Sequence, residues 1–197
     1  HQALPDLIVT REDLLADLSE FLRQRVVSLL EDQQIPVDLV QAVAGDGVPL
    51  ERVLRDPADA RWRAMVLLEC RQQDRLAAVQ AVVTRAARLA VQADLPEGTL
   101  SPLGVIEDGL FASPSEAGML AVIQTLEPIC SREDRDRYGA LAEALAAGAP
   151  ALAAFFDGEQ SVMVMCDEPQ VRRNRLNLLA LLRNQAAVLA DFSRIQS

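Results

Sequence analysis

The sequence predicts an all-α fold, an irregular helical bundle of about eight helices, on three observations. Leu and Ala dominate while aromatic residues are only 4% of the chain, a composition suited to helices packed through aliphatic faces. The Val/Thr/Tyr alternation that strands require is nearly absent. Helix-start and helix-stop signals recur along the chain, and no internal repeat of fixed period accompanies them, which argues against a helical solenoid.

Taken in order, Thr10-Arg11-Glu12-Asp13 resembles a capping box with Asp in place of Glu. It predicts a long amphipathic helix to about residue 34, with Leu14, Leu18, Phe21, Leu22, Leu29 and Leu30 among its apolar residues and its acid-rich face towards solvent. Pro36 ends that helix and permits another over 37–44, stopped by Gly45-Asp46-Gly47. Pro49 starts a helix to 55, and Pro57 breaks or restarts it. The next helix, over 58–69, carries the only tryptophan, Trp62, whose commoner role is a core or interface anchor, with stacking on a base as the alternative. A polar interruption over 71–75 precedes an Ala/Val-rich helix over 76–91 with Arg85 and Arg88 on one side.

Residues 94–111 hold Pro96, Gly98, Pro102, Gly104 and Gly109 and form the longest irregular segment. Leu100, Leu103, Val105, Ile106 and Leu110 within it suggest a packed loop rather than a free linker. Ser113-Pro114-Ser115-Glu116 starts a helix that should end before Pro128. Ser131 caps or precedes another, ending at Ala146-Ala147-Gly148, and Pro150 opens a short helix bearing Phe155 and Phe156, which Gly158 breaks. Val162-Met163-Val164-Met165 is too brief to declare helix or strand. Asp167-Glu168-Pro169 then starts a helix running to about 190.

On that last helix, Val171, Leu178, Leu182 and Leu189 make an apolar line, widened by Leu179 and Ala186. Arg175 falls on the line itself and therefore calls for a carboxylate or carbonyl partner inside. Arg172 and Arg183 share one polar face, and Arg173, Asn177 and Asn184 the other. Such a helix either presents solvated faces or holds phosphates and reads base edges.

Several function classes are excluded. There is no Gly-rich phosphate loop, no lysine at all, and no histidine beyond residue 1, so Ser-His and Cys-His nucleophile pairs are absent. The acid pairs Glu107-Asp108 and Asp167-Glu168 sit where turns and caps want them. No catalytic residue and no metal site is expected. Cys70, Cys130 and Cys166 are widely spaced without a C-x-x-C, which favours buried thiols in a reducing compartment over disulfides or zinc. No apolar run is read as long enough to cross a bilayer, and no membrane partner is expected. The start at His1, without Met, suggests a piece excised from a longer chain. The net charge of −10 argues against nucleic acid. Its distribution is uneven, however: residues 171–197 hold five arginines against one acid, and 48–94 hold eight against six.

Four strings stand in order: F-F-D at 155–157, V-M-V-M-x-D-E at 162–168, V-R-x-N-R-L-x-L-L at 171–179 and A-D-F-S at 190–193. Together they resemble the C-terminal end of the bacterial glycyl-tRNA synthetase β subunit family, a helical anticodon-binding domain of the DALR type shared with arginyl-tRNA synthetases. Two features depart from the family pattern: Gly158-Glu159-Gln160-Ser161 lengthens a loop, and Cys166 replaces a small residue. Upstream, E-F-L-R-Q-R-V and I-P-V-D-L-V-Q-A-V are also similar to the family; Arg25 matches its arginine there, while Gln24 replaces an Asp. In the helix over 76–91 Arg85 matches and Thr84 does not.

The resemblance implies a helical lead-in over 1–75 and a DALR-like anticodon-binding domain over 76–197. It implies that Arg172, Arg173, Asn174 and Arg183, with Asn177, Arg85 and Arg88, contact the anticodon arm of tRNA-Gly. The partners it implies are the rest of the β subunit and a catalytic α subunit, which would hold ATP and glycine, so that this stretch needs no cofactor of its own. The setting would be the cytoplasm. From composition alone, a helical protein-interaction or scaffold module without RNA contact remains the alternative.

Overall fold

The computed structural model describes residues 10–196. Helix α1 (Arg11–Glu31) opens on the expected box: the Asp13 amide donates to the Thr10 hydroxyl at 3.1 Å and the Thr10 amide donates back to the Asp13 carboxylate. Only its second half packs, through Val26, Val27 and Leu30, against α2 (Val37–Ala44) and α3 (Leu50–Arg55). Buried Arg23 donates to the carbonyls of Ala44, Gly45 and Val48, satisfying the C-terminal end of α2. Residues 11–22 are exposed but for half-buried Ser19. Leu14 and Phe21 are each 60% exposed. Of the apolar residues named for this helix only Leu30 is buried, with Val26 and Val27; Leu14, Leu18, Phe21, Leu22 and Leu29 lie on a neighbouring arc that faces solvent.

Helix α4 (Pro57–Gln72) has Pro57 in its first turn and Asp56 as its cap, accepting from the amides of Ala58 and Asp59. It runs through the first part of the expected polar interruption and turns into α5 (Leu76–Ala90) at Asp74, whose φ of 56° lies in the left-handed region that Asp tolerates. Trp62 is not a core anchor: it is 45% exposed, with the Arg135 guanidinium 5.9 Å from its ring centre.

Two prolines expected at helix boundaries, Pro128 at an end and Pro150 at a start, lie inside helices. Helix α6 (Pro114–Cys130) contains Pro128, and Ser131 closes it rather than opening the next. Helix α7 (Arg137–Phe156) contains Pro150, fusing two expected helices into one. Packing outweighs the lost hydrogen bond at Pro150: Leu145, Ala149, Leu152 and Phe155 are buried on either side of it. Gly148 lets α6 come close, since a Cβ there would lie 2.6 Å from Val122 Cγ1. As a single helix whose most apolar stretch reaches a mean hydropathy of 1.5, α7 is by length and composition alone apolar enough to cross a membrane, where no such run was expected. Its buried residues instead face α4, α5 and α6.

Helix α8 (Pro169–Ala187) occupies the centre, against α5 and α6. Pro169 stands at its start as expected, but Glu168 makes no capping hydrogen bond. Before it, residues 162–166 form neither helix nor strand; Val164 is buried and Met163 is 74% exposed. Cys70 and Cys130 are buried free thiols and Cys166 is half-buried, and burial pushes Cys130 up to about 12. After α8, a 3₁₀ turn (Phe192–Arg194) wedges between α2 and α5. There the Asp191 amide donates to the Ala42 carbonyl at 2.8 Å and the Gln196 amide to Asp38 at 2.8 Å. The buried apolar residues form one cluster from Val26 to Ile195 that crosses the 75/76 junction.

Candidate nucleic-acid interface

Helix α8 is not the amphipathic helix with solvated polar faces that its sequence suggests. From Asn174 to Ala186 only Asn177 and Arg183 escape full burial. The apolar line meets α5 and α6, and the amide side chains are taken up by the loop over 94–111. Asn174 accepts from the Glu107 amide at 2.9 Å and donates to the Glu107 carbonyl at 3.0 Å, as a strand neighbour would. Asn184 donates to the carbonyls of Pro96 and Thr99 at 2.8 and 2.9 Å. Gln185 donates to Leu100 and to Ile123, and Asn177 to Val105. An irregular loop leaves its carbonyls unpaired, and burying them requires such donors.

Arg175 finds the internal partner its position demanded. Its Nε lies 2.8 Å from Glu116 Oε1, and its Nη1 donates to the Met163 carbonyl at 3.0 Å. Glu116 also accepts from the amides of Ala112 and Ser113, closing the capping box of α6. Burial raises the Glu116 pKa, but the Arg175 hydrogen bond and the two amides outweigh it, and the carboxyl sits below its ordinary 4.5.

The remaining arginines divide by availability. Arg173 and Arg88 are exposed and, among the described residues, make no side-chain hydrogen bond or ion pair. Arg172 is half-buried and donates to the Cys166 carbonyl at 3.0 Å, tying the start of α8 to the segment before it. Arg85 pairs with Asp157 at 2.8 Å and lies over the Phe156 ring at 4.6 Å, with half its side chain in solvent. Arg183, also half-buried, donates to Asn184 and to the Ala90 carbonyl. The two loaded helices, α5 and α8, pack against each other, so Arg85, Arg88, Arg172, Arg173 and Arg183 all belong to one helix pair.

A cleft of about 570 Å³ opens beside the end of α8, with Arg52, Arg183, Thr84, Glu97, Asp191 and Phe192 among its walls. Arg52 donates to the Ala187 and Val188 carbonyls, satisfying the helix terminus that the cleft exposes. Below lies Arg63, fully buried and 2.8 Å from Asp59; burial, and the nearby charge of Arg52, lower its pKa to about 10. Asp59, which burial raises, is held below its ordinary 3.8 by the Tyr138 hydroxyl and by Arg63 and Arg52. Arg52 did not stand out in the sequence, and Thr84 did so only as a departure from the family pattern, because the carbonyls they bond, of Ala187 and Phe192, are more than a hundred residues away. Among the described residues no group of three or more His, Cys, Asp or Glu could hold a metal ion.

No family model matches the chain. Among curated proteins it is 44% identical over 190 residues to the glycine–tRNA ligase β subunit of Trichodesmium erythraeum, covering 94% of this chain and 26% of that protein. It is 37% identical over 209 residues to the β subunit of Synechocystis, covering 98% and 29%. With the β subunit of Acinetobacter baylyi it shares 33% over 195 residues, covering 99% and 26%. The chain spans about a quarter of the length of the curated relatives it matches.

Proposed function

The chain is homologous over nearly its whole length to part of the glycine–tRNA ligase β subunit, and we propose on that footing that it binds the anticodon arm of tRNA-Gly. It would thereby position the tRNA for aminoacylation at a catalytic site outside these residues, in the cytoplasm, where a catalytic α subunit takes up ATP and glycine. The kinship carries the reading, and the placement of charge supports it. Arg173 and Arg88 offer exposed guanidinium groups to phosphate oxygens, while Arg85, Arg172 and Arg183 each keep part of the side chain accessible. Asn174 and Asn177 act as positioning residues, through the loop they hold.

Glycine anticodons end in two cytosines, whose Watson–Crick edges in an unstacked loop suit Arg donors and carbonyl acceptors. Arg172 and Arg183 are about 16 Å apart along α8, a span suited to a loop backbone. The test is a titration of tRNA-Gly, and of a tRNA with those two cytosines changed, against salt. Arg88→Ala and Arg173→Ala should each flatten the slope of log K against log salt by about one unit per lost phosphate contact. If these variants and Arg172→Ala all bind both RNAs as the unaltered chain does, the RNA surface is elsewhere or absent. A scaffold role would then stand, favoured by the exposed apolar face of α1.

A further inference from the structure

We propose that the exposed apolar face of α1 is a docking seat for the portion of the glycine–tRNA ligase β subunit that lies outside this chain. On a helical wheel Leu14, Leu15, Leu18, Phe21, Leu22 and Leu29 fall within an arc of about 120°. All six are exposed, and among the described residues nothing packs over them. The arc is distinct from the one that carries Val26, Val27 and Leu30 into the core. Arg11 and Arg25 lie within it, and their aliphatic stems can lie along apolar neighbours while their heads stay wet.

A second argument comes from helix stability. Residues 11–22 form three turns with almost no tertiary contact. They extend the packed half of α1, which supplies the helix nucleus, but most helical stability comes from covering an apolar face. The capping box at Thr10 and Asp13 fixes where the helix starts but supplies only about 1 kcal/mol. A half-helix with a continuous Leu/Phe stripe and no packing of its own is therefore the part of α1 that a cover stabilises most.

The cover is assigned by length and by charge. The relatives are nearly four times as long as the stretch they share with this chain, so most of the polypeptide available to pack on α1 is outside it. Asp13, Asp17, Glu20 and Glu31 form an acidic edge along one side of the apolar arc. The seat thus fits an apolar strip bordered by basic side chains. A second copy would bring an identical acidic edge and another −10 of net charge.

The proposal rests on the same kinship as the RNA reading but not on RNA binding, and its test uses no RNA. Hydrogen exchange is followed across α1 in the 197-residue chain and in the full-length β subunit that carries it. Amides of residues 15–22 should exchange at least tenfold more slowly in the full-length subunit; equal rates overturn the proposal. Leu18→Ser with Phe21→Ser should restore fast exchange there and lower the Tm of the full-length subunit. The same pair should leave the Tm of the isolated chain unchanged, since both side chains are already in solvent. An unchanged full-length Tm overturns the proposal. So does slow exchange in the isolated chain: in a monomer by sedimentation it assigns the cover to residues 1–9, and in a dimer to a second copy.

Discussion

Arg175 and Glu116 are 59 positions apart, yet their side chains meet at 2.8 Å and join the middle of α8 to the first turn of α6. The Glu116 side chain is fully buried and the Arg175 side chain nearly so. Removing either partner strands a charge, which typically costs about 3–5 kcal/mol. Arg175→Ala should lower the Tm by several degrees, read by circular dichroism. An unchanged Tm with lost RNA binding would move Arg175 to the ligand surface.

The same carboxylate sets the response to acid. Glu116, Asp59 and Asp38 all have folded pKa values below their ordinary 4.5, 3.8 and 3.8. A depressed carboxyl stabilises fully above its unfolded value and loses that contribution as pH falls through the folded one. The Tm should be nearly flat from neutral pH down to about 5 and fall steeply below about 4. Glu116→Gln should make that acid limb shallower. A Tm independent of pH throughout this window would show that the three groups titrate alike in both states.

Asn184 holds two loop carbonyls, Pro96 and Thr99, with one amide group. Asn184→Leu leaves both unpaired, at roughly 1–3 kcal/mol. Limited proteolysis should then cut within 94–111 well before the helices, and at sites resistant in the unaltered chain. Uniform sensitivity in both would show that the loop is held by its apolar residues alone.

Gly148→Ala places a methyl group against Val122, a short branched side chain on α6. The helices must separate or Val122 must leave its rotamer, at about 1–3 kcal/mol. Helix propensity alone predicts the opposite sign, a gain of up to about 1 kcal/mol. Thermal unfolding of this variant alone and with Val122→Ala decides between them, since the second change should recover the loss.

The helix starts were legible because their signals are local. Thr10 with Asp13, Ser113 with Glu116, and the first-turn prolines 57 and 169 sit where the sequence places them. Pro128 and Pro150 misled because a helix interior can absorb a proline when both flanks are packed, and packing is not a local property. The exposure of Trp62 and of the α1 leucines was not legible, since apolar pattern shows which side chains share a face, not whether anything covers it.

The candidate site was legible in part. The charge asymmetry and the demand of Arg175 for a partner were readable on α8, but Glu116 as that partner was not, because its spacing to Ser113 already explained it. Asn174, Asn177 and Asn184 looked available for ligand, and instead hold a loop sixty-seven to eighty-eight residues upstream. A polar stripe on a helix can equally mean water, RNA or a second segment of backbone. Only the loop's position distinguishes them.

The turn after α8 has a consequence for how the chain is made. Asp191 must bond Ala42, and Phe192 and Ile195 must fill the space between α2 and α5. Ribosomes add about 5–20 residues per second, so the α2 side of this seam waits roughly 7–30 s for the segment that seals it. During that interval the nascent chain shows an unsealed apolar seam to chaperones. Synthesis that stops short of Asp191 would yield a product that cannot close this seam.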